Sequence, residues 1–227
     1  MKIMVISLGG SLIVPEKVDF EFLKKFRATL RKHYKGWKFV IVCGGGSIAR
    51  KYINLLKKDN ASEKEMSLAG IRVTRLNALL MMELFGKEAN DKLPKDMKDV
   101  KDNLHKNKVV ICGALRYAPQ STSDGTAARL ANYLKCDFIN MTNVKGLYSA
   151  NPKTNKNAKF IPWESWSDFE KRANAIKYHS GQHFVLDQKA ATMIRKHKTK
   201  TYIIGADTKN IDKILRGEPF TGTLICG

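Results

Sequence analysis

Two glycine-rich stretches in the first fifty residues have the composition of phosphate-accepting turns. Gly9-Gly10-Ser11 follows an apolar run over residues 3–8, and Gly44-Gly45-Gly46 follows an apolar run over residues 40–43. Glycine lets the backbone turn sharply and approach a ligand, and free amides at the start of a following helix favour an anion. Arg50 lies in the first turns of the helix predicted after the second stretch, where a guanidinium can pair with phosphate. Together the turns predict a site for two phosphates or one long phosphate chain, although glycines that only pack strand against helix explain either turn equally well.

Two later loops add hydroxyl, amide and carboxylate groups. Gln120-Ser121-Thr122-Ser123-Asp124 stands just before a predicted helix, and Thr142-Asn143-Val144-Lys145-Gly146-Leu147-Tyr148 follows a predicted strand. Hydroxyls and helix-end amides suit a phosphate, and Asp124 is a carboxylate that can orient reacting groups or a metal. The simpler interpretation of this cluster is that Ser123 or Asp124 only caps the helix.

An alternation of strands and helices along the whole chain positions these loops. Most predicted strands are short and continuously apolar, which is typical of a parallel sheet covered by helices on both faces. The sequence therefore predicts one α/β domain over residues 1–227, a three-layer sandwich with a mainly parallel central sheet. Ligands of such folds bind beyond the carboxyl ends of the strands, where all four loops fall. The predicted strands are residues 3–8, 40–43, 109–112, 138–141, 202–205 and 223–225, and the predicted helices start at the caps Asp19, Ser47 and Ser62 and lie within 87–108 and near 127–134, 165–178, 187–197 and 211–216.

The composition excludes several classes of protein. With 43% hydrophobic residues among 227, the chain can bury a core and is not typical of a disordered protein. No apolar run approaches the roughly 18 residues of a membrane span, and the first residues lack the layout of a secretory signal, so we expect no membrane partner. The four cysteines are far apart and form no CxxC pair, which predicts free thiols in a cytoplasmic protein.

The formal net charge of +20 predicts attraction to anions in general. The lysines and arginines are scattered over most predicted helices, and no aromatic residues interleave with them as in nucleic-acid recognition motifs. We therefore expect weak, salt-sensitive binding to nucleic acid in vitro and no specific nucleic-acid partner.

Taken together, the loops resemble those of the amino acid kinase superfamily and, within it, the archaeal-type uridylate kinases. The resemblance covers essentially the whole chain. The narrower part of it rests on the Gly-Gly-Gly-x-x-Ala-Arg-x-Tyr pattern of residues 44–52 and on Thr74-Arg75-Leu76-Asn77-Ala78. The opening glycine turn, Gln120-Ser121-Thr122, residues 142–148 and the closing Gly222-Thr223-Leu224-Ile225 belong to the same resemblance.

This resemblance implies transfer of the γ-phosphoryl group of ATP to UMP with Mg²⁺, giving UDP in pyrimidine nucleotide synthesis by a homo-oligomer, a hexamer. It also implies an acceptor-binding part over roughly residues 1–135 and an ATP-binding part over roughly residues 136–227. Asp124, Arg50 and Ser7 are the expected catalytic residues, and no metal held by the protein alone is expected. By position, the ATP site comprises Ser7, Leu8, Gly9, Gly10, Ser11, Gly45, Arg50, Thr142, Asn143, Tyr148 and Asn151, and the UMP site comprises Gly44, Ser67, Tyr117, Ala118, Pro119, Gln120, Ser121, Thr122 and Ser123.

Several charged positions of the relatives are changed in this chain. Ser7 stands where many relatives carry lysine and some archaeal ones aspartate, and Ser67 stands where an acidic residue meets the acceptor ribose. Lys145 and Asn151 replace aspartates. Two alternatives therefore stay open: a kinase of the same fold acting on another small phosphate or carboxylate, such as isopentenyl phosphate, and a non-catalytic nucleotide-binding or storage module. A role in nucleic-acid binding, argued from charge alone, ranks last.

Overall fold

The continuous apolar runs form the strands of a central sheet. The computed structural model describes residues 1–117, 122–152, 154–175 and 186–227. Its strands are β1 (Lys2–Leu8), β2 (Trp37–Cys43), β3 (Val109–Cys112), β4 (Asp137–Met141), β5 (Leu147–Tyr148), β6 (Phe160–Ile161), β7 (Trp163–Glu164), β8 (Thr201–Ile204) and β9 (Thr223–Ile225). Its helices are α1 (Gly10–Ile13), α2 (Phe20–Arg31), α3 (Gly46–Lys58), α4 (Glu63–Phe85), α5 (Met97–Lys106), α6 (Ser123–Leu134), α7 (Trp166–Asn174), α8 (Gln188–His197) and α9 (Lys209–Arg216), with a 3-10 turn at Gly86–Glu88 after α4.

Seven strands form one sheet in the order β3-β2-β1-β4-β8-β9-β7. The five from β3 to β8 are parallel, β9 runs antiparallel to β8, and β7 lies parallel to β9 at the edge. Ser7 of β1 pairs in register with Val42 of β2 on one side and with Asn140 of β4 on the other. Helices cover both faces of this sheet, so the predicted three-layer α/β sandwich is confirmed.

Each face of the sheet packs against its own hydrophobic core, because successive residues of a strand point to opposite sides. Cys43 of β2 belongs to the core formed with α1, α2, α4 and α9, whereas Val42 belongs to the core formed with α5 to α8. Cys112 of β3 pairs with Val42 and shares its face. Cys43 and Cys112 are therefore fully buried in neighbouring strands but on opposite sides of the sheet.

Polar caps start α2 and α4 where the sequence predicts them. The side chain of Asp19 accepts a 3.0 Å hydrogen bond from the amide of Phe22. Ser62 and Glu65 form the predicted capping box, in which each side chain accepts a hydrogen bond from the other residue's amide. These bonds satisfy amides that have no partner inside a helix, so the two helix starts follow from the sequence alone.

The predicted cap at Ser47 is wrong. Helix α3 already begins at Gly46, and no side chain caps it. The hydroxyl of Ser47 instead donates a 3.2 Å hydrogen bond to the carbonyl oxygen of Val14, just after α1. Gly46 has a φ of 63°, a backbone conformation that residues with a Cβ atom rarely adopt. The glycine therefore determines where the helix starts.

The shortest elements have no counterpart in the sequence-based prediction. The polar loop expected over residues 142–157 contains β5, which pairs with β6 in a small antiparallel sheet, and β7 joins the edge of the main sheet beside β9. Two-residue strands carry too little sequence to show a period. The helix expected over residues 165–178 is observed as α7, which ends at Asn174; residue 178 lies outside the described residues.

Candidate active site

The two glycine turns follow β1 and β2 at the carboxyl edge of the sheet, and they lie in direct contact. A Cβ atom on Gly10 would lie 2.2 Å from the amide nitrogen of Gly46 and 2.5 Å from the carbonyl oxygen of Gly44. Both distances are far shorter than any real carbon contact. Packing of one turn against the other therefore accounts for Gly10, and a substitution there must disturb the fold as well as any ligand.

Part of the predicted amide cradle is already occupied. The amide of Gly9 donates a 3.0 Å hydrogen bond to the carbonyl of Met141, and the amide of Gly44 donates a 2.9 Å bond to the carbonyl of Leu8. Both bonds extend the sheet beyond its last strand residues. Gly9 is predicted for the ATP site, but its amide is bonded within the sheet and does not face a ligand. The amides near the starts of α1 and α3 are those that a ligand can use.

A buried hydrogen bond joins β1 to α6. The hydroxyl of Ser7, which is fully buried, donates to Oδ1 of Asp124 at 2.6 Å. Burial raises the pKa of Asp124 to about 7, the hydrogen bond from Ser7 opposes this, and the nearby carboxylate of Asp187 adds to it. The structure therefore brings together two of the three residues predicted to be catalytic, in a place where a negative charge is costly without a partner.

The start of α6 is held by a carboxylate 62 to 65 residues away. Oδ2 of Asp187 accepts hydrogen bonds from the amide and hydroxyl of Thr122 and from the amide of Gly125, at 2.8, 2.7 and 3.2 Å. Its other oxygen accepts a 2.7 Å bond from the amide of Ala190 in α8. Asp187 is the N-cap of α8 and also binds the first turn of α6, so it links the starts of two helices. It fixes the turn that carries Asp124.

Thr122 itself is the N-cap of α6, which corrects the expectation that Ser123 or Asp124 plays this part. The hydroxyl of Thr122 accepts a 3.2 Å hydrogen bond from the amide of Asp124. Ser123 and Asp124 are the first two residues of the helix. The carboxylate of Asp124 is thereby released from a capping role and remains directed at Ser7.

Three polar residues of α4 hold the loops at the carboxyl edge. Asn77 donates a 2.7 Å hydrogen bond to the carbonyl of Gly44. The hydroxyl of Thr74 accepts one from the amide of Ala114, and Arg75 donates to the carbonyls of Ala114 and Leu115. The Thr-Arg-x-Asn-Ala pattern is therefore explained by loop anchoring. Arg75 forms no salt bridge among the residues that the structure describes.

Arg50 is a half-buried cation on α3. Burial lowers the pKa of its guanidinium, and no carboxylate pairs with it among the residues that the structure describes. Two other half-buried arginines do have acidic partners: Arg27 pairs with Glu88 at 2.6 Å and Arg172 pairs with Glu164 at 2.5 Å. A partly desolvated guanidinium without a carboxylate favours an anionic ligand.

A groove of about 340 Å³ opens where β4, β5 and β8 end. Asn143 and Tyr148, both predicted for the ATP site, line it together with Lys145, Pro152 and Gly205. The ring of Tyr148 packs on Phe160 with centroids 5.5 Å apart, which fixes its orientation. An oriented aromatic ring, a proline and exposed backbone suit one end of a ligand with a flat ring.

The remaining predicted residues are only partly described. Ser67 is half-buried on the second turn of α4, and Tyr117 is half-buried at the end of the loop after β3. Thr142 follows β4 directly, Ser11 lies in α1, and Asn151 is exposed in the turn after β5. Ala118, Pro119, Gln120 and Ser121 lie outside the described residues.

Within the described ranges, no group of three or more histidine, cysteine, aspartate or glutamate side chains is placed to hold a metal ion. In the same ranges, no helix combines the length and the apolar character that a membrane span requires. The four cysteines are all free thiols.

Comparison with known proteins gives consistent matches over the whole chain. The profile of the amino acid kinase family matches residues 2–205. The chain is 33% identical to the uridylate kinase of Thermococcus kodakarensis over 224 residues, which cover 98% of both chains. It is 36% identical to the uridylate kinase of Archaeoglobus fulgidus over 223 residues, which cover 98% of this chain and 99% of that one.

The solved structures agree with these sequence matches. The crystal structure of uridylate kinase from Archaeoglobus fulgidus superimposes with a TM-score of 0.84 at 35% identity and covers 100% of both chains. UMP kinase from Bacillus anthracis superimposes with a TM-score of 0.79 at 21% identity, covering 99% of this chain and 96% of that one, which shows the shared fold.

Proposed function

Because this chain belongs to the amino acid kinase family, we propose that it transfers the γ-phosphoryl group of ATP to UMP, giving UDP for pyrimidine nucleotide synthesis. The observation that carries the proposal is the Ser7–Asp124 hydrogen bond, buried at the carboxyl edge of the sheet between the glycine turns and α6. Phosphoryl transfer needs positioning and charge neutralisation more than a covalent nucleophile, and this site offers those two properties.

The residues divide into a donor group and an acceptor group in this proposal. The groove with Asn143 and Tyr148 receives the adenine end of ATP, and the phosphate chain runs toward the glycine turns and Arg50. The acceptor phosphate lies against the start of α6, whose dipole and first amides favour an anion. Residues 1–135 would then carry most of the acceptor site and residues 136–227 most of the donor site.

Mg²⁺ fits this arrangement as an ion brought in by the nucleotide. Of the two carboxylates at the start of α6, Asp124 accepts one hydrogen bond from the described residues, whereas Asp187 is engaged by four. Magnesium is commonly bound by one or two carboxylates together with substrate phosphates. When bound, it would neutralise charge on the phosphate chain.

We further propose that a second copy of this chain covers the outer surface of α3 and α4. Five large apolar side chains are exposed on these two helices: Tyr52, Leu55, Leu76, Leu79 and Leu80, with Leu55 and Leu76 exposed by 67% and 59%. Several large exposed apolar side chains on neighbouring helices are typical of a protein–protein contact. A homo-oligomer, a hexamer by family resemblance, and a cytoplasmic location complete the proposal.

A coupled assay of ADP release tests the reaction. UMP, the other nucleoside monophosphates, isopentenyl phosphate and small carboxylates would be compared as acceptors with ATP and Mg²⁺. We expect the highest kcat/KM with UMP. A higher kcat/KM with another acceptor would move the chain to a different kinase activity of the same fold.

The storage or sensor alternative is favoured by one observation: Ser67, Lys145 and Asn151 leave this site with few acidic groups. Direct measurement of ATP binding by calorimetry distinguishes it. ATP bound with no acceptor phosphorylated would exclude the kinase and support the non-catalytic module.

A further inference from the structure

A second concave surface lies at the opposite end of the sheet. A cavity of about 610 Å³ opens where β1 and β2 begin and where α5 and α6 end, and we call it the basal groove. Its walls are formed by Ile3, Lys38, Lys101, Leu104, His105, Tyr133, Leu134 and Lys135, together with Met1. The candidate active site lies at the carboxyl ends of the strands, so the two sites are separated by the length of the sheet.

The lining of the basal groove is cationic. Lys101 and Lys135 are exposed, Lys38 contributes a third ammonium group, and His105 is exposed beside them. No aspartate or glutamate is among the described residues that line the groove. Clefts lined by charge of one sign concentrate ligands of the opposite sign.

Several carbonyl groups in the last turns of α5 and α6 are hydrogen-bonded within the chain. Lys38 donates hydrogen bonds to the carbonyls of Leu104 and His105 in the last turn of α5. At the end of α6, the amide of Lys135 donates to the carbonyls of Ala131 and Asn132. The ammonium group of Lys38 is thus engaged within the chain, and those of Lys101, which lies over the Tyr133 ring, and Lys135 remain for a ligand.

The groove also offers an aromatic surface and an apolar floor. Tyr133 is 42% exposed, and Nζ of Lys101 lies 5.9 Å from the centroid of its ring. Buried Leu104 and half-buried Ile3 and Leu134 form the apolar part of the lining. A planar group can stack on the tyrosine while an attached anion meets the lysines.

We propose that the basal groove binds a small anion that carries a planar ring, with the chemistry of a nucleoside phosphate. A volume of about 610 Å³ lies within the range of small-molecule sites. Lys101 and Lys135 would bind the phosphates, and Tyr133 and the apolar floor would bind the ring. The site is independent of the reaction proposed above, because none of its lining residues belongs to the donor or acceptor groups.

Methyl resonances of Ile3, Leu104 and Leu134 provide a direct test in solution. The full chain, labelled at these methyl groups, would be titrated at physiological salt with each of the four common ribonucleoside triphosphates, and with tripolyphosphate as a probe without a ring. We expect saturable shifts with at least one nucleotide. Arg50→Ala should preserve these shifts, since Arg50 lies at the other end of the sheet.

A charge-matched pair of variants separates a site from the general positive field. Lys101→Glu/Lys135→Glu should weaken nucleotide binding at the groove by about tenfold or more, which corresponds to roughly 1.4 kcal/mol. Lys24→Glu/Lys25→Glu makes the same change in net charge on the exposed surface of α2 and should leave the affinity unchanged. Thermal melts would confirm that both variants fold.

Three results would overturn the proposal. The first is the absence of methyl shifts with all four nucleotides. The second is an equal loss of affinity in both charge variants, which would assign the binding to the overall charge. The third is tripolyphosphate binding as tightly as the nucleotides, which would show that the ring contributes nothing to the affinity.

Discussion

The hydroxyl of Ser7 donates a 2.6 Å hydrogen bond to Oδ1 of Asp124, joining residues 117 positions apart in the chain. The bond sets the direction in which the Asp124 carboxylate faces, and it counteracts part of the pKa increase that burial imposes. It is one of the contacts between β1 and α6, the helix proposed to bind the acceptor.

Loss of either partner should reduce turnover more than ATP binding. Asp124→Asn should lower kcat by about 10²-fold, a typical effect of removing one group that acts on the transition state. Ser7→Ala should lower it by less, because the carboxylate remains but is no longer oriented. Calorimetry with ATP supplies the second readout, and Asp102→Asn on the exposed surface of α5 is the control. A loss of ATP affinity that matches the loss of kcat would contradict this assignment.

Asp187 should be the more important of two N-caps. It caps α8 and also accepts hydrogen bonds from Thr122 and Gly125 at the start of α6, whereas Asp19 accepts one hydrogen bond at α2. Asp187→Ala leaves several buried donors unpaired and should cost about 3 kcal/mol or more. Asp19→Ala should cost about 1 kcal/mol. Chemical denaturation measures both, and equal costs would show that the contacts of Asp187 with α6 add nothing to stability.

Glycine at position 10 should be required for folding. Its missing Cβ makes room for the backbone of the second turn, with Gly46 nitrogen only 2.2 Å from the Cβ position. We expect Gly10→Ala to be insoluble or strongly destabilised. Gly36→Ala is a matched control, since nothing lies within 4 Å of its Cβ position. Thermal unfolding compares them, and a Gly10→Ala protein as stable as the control would mean that the two turns can separate at little cost.

Stability should fall in acid through Glu88. Burial alone would raise the pKa of Glu88, but hydrogen bonds from Arg31, Arg27 and Tyr34 lower it to about 2. A carboxyl group with a lowered pKa in the folded state stabilises above its unfolded pKa near 4.5, and that contribution is lost as the pH falls toward 2.

Glu88→Gln tests this contribution. The variant should be less stable than the wild type at neutral pH, and the difference should shrink between pH 4.5 and 2. Glu83→Gln, on the exposed side of α4, is the control. A difference that stays constant over this range would assign the loss to packing instead of charge.

An acidic residue at position 67 should improve the use of UMP. Ser67 can give the acceptor ribose a neutral hydrogen bond, whereas a carboxylate forms one about twice as strong. Ser67→Asp should therefore lower the KM for UMP by about fivefold, which corresponds to roughly 1 kcal/mol. Ala28→Asp adds the same charge on the exposed surface of α2. An unchanged KM in Ser67→Asp would place the ribose elsewhere.

Apolar continuity and local capping carry enough information to predict most of this fold. The runs that became β1 to β4 and β8 are buried on both faces, and a serine or aspartate with its partner three residues later marks α2 and α4 in the sequence. These signals are local. The edge strand β7 depends on β9, some sixty residues later in the chain, and cannot be read from two residues.

The site was harder to predict for the same reason. Ser7 and Asp124 each appear in the sequence as a possible functional residue, but their hydrogen bond depends on how α6 packs beside β1. In the sequence, Asp187 stands only at the start of the helix predicted over residues 187–197. Its contacts with Thr122 and Gly125 depend on tertiary packing and leave no local signal. A glycine in the sequence indicates that something approaches the backbone closely, but not whether this is a ligand or another part of the chain. At Gly10 it is the backbone of the second turn.

Cys43 and Cys112 give the chain a built-in reporter of its own unfolding. They lie in adjacent strands and are fully buried on opposite sides of the sheet, and burial raises the pKa of both thiols, that of Cys112 to about 12. No thiol reagent reaches either sulfur without removing a layer of helices, and each needs a different layer. The relative labelling rates of the two cysteines would therefore show which helix layer detaches first, without any engineered probe.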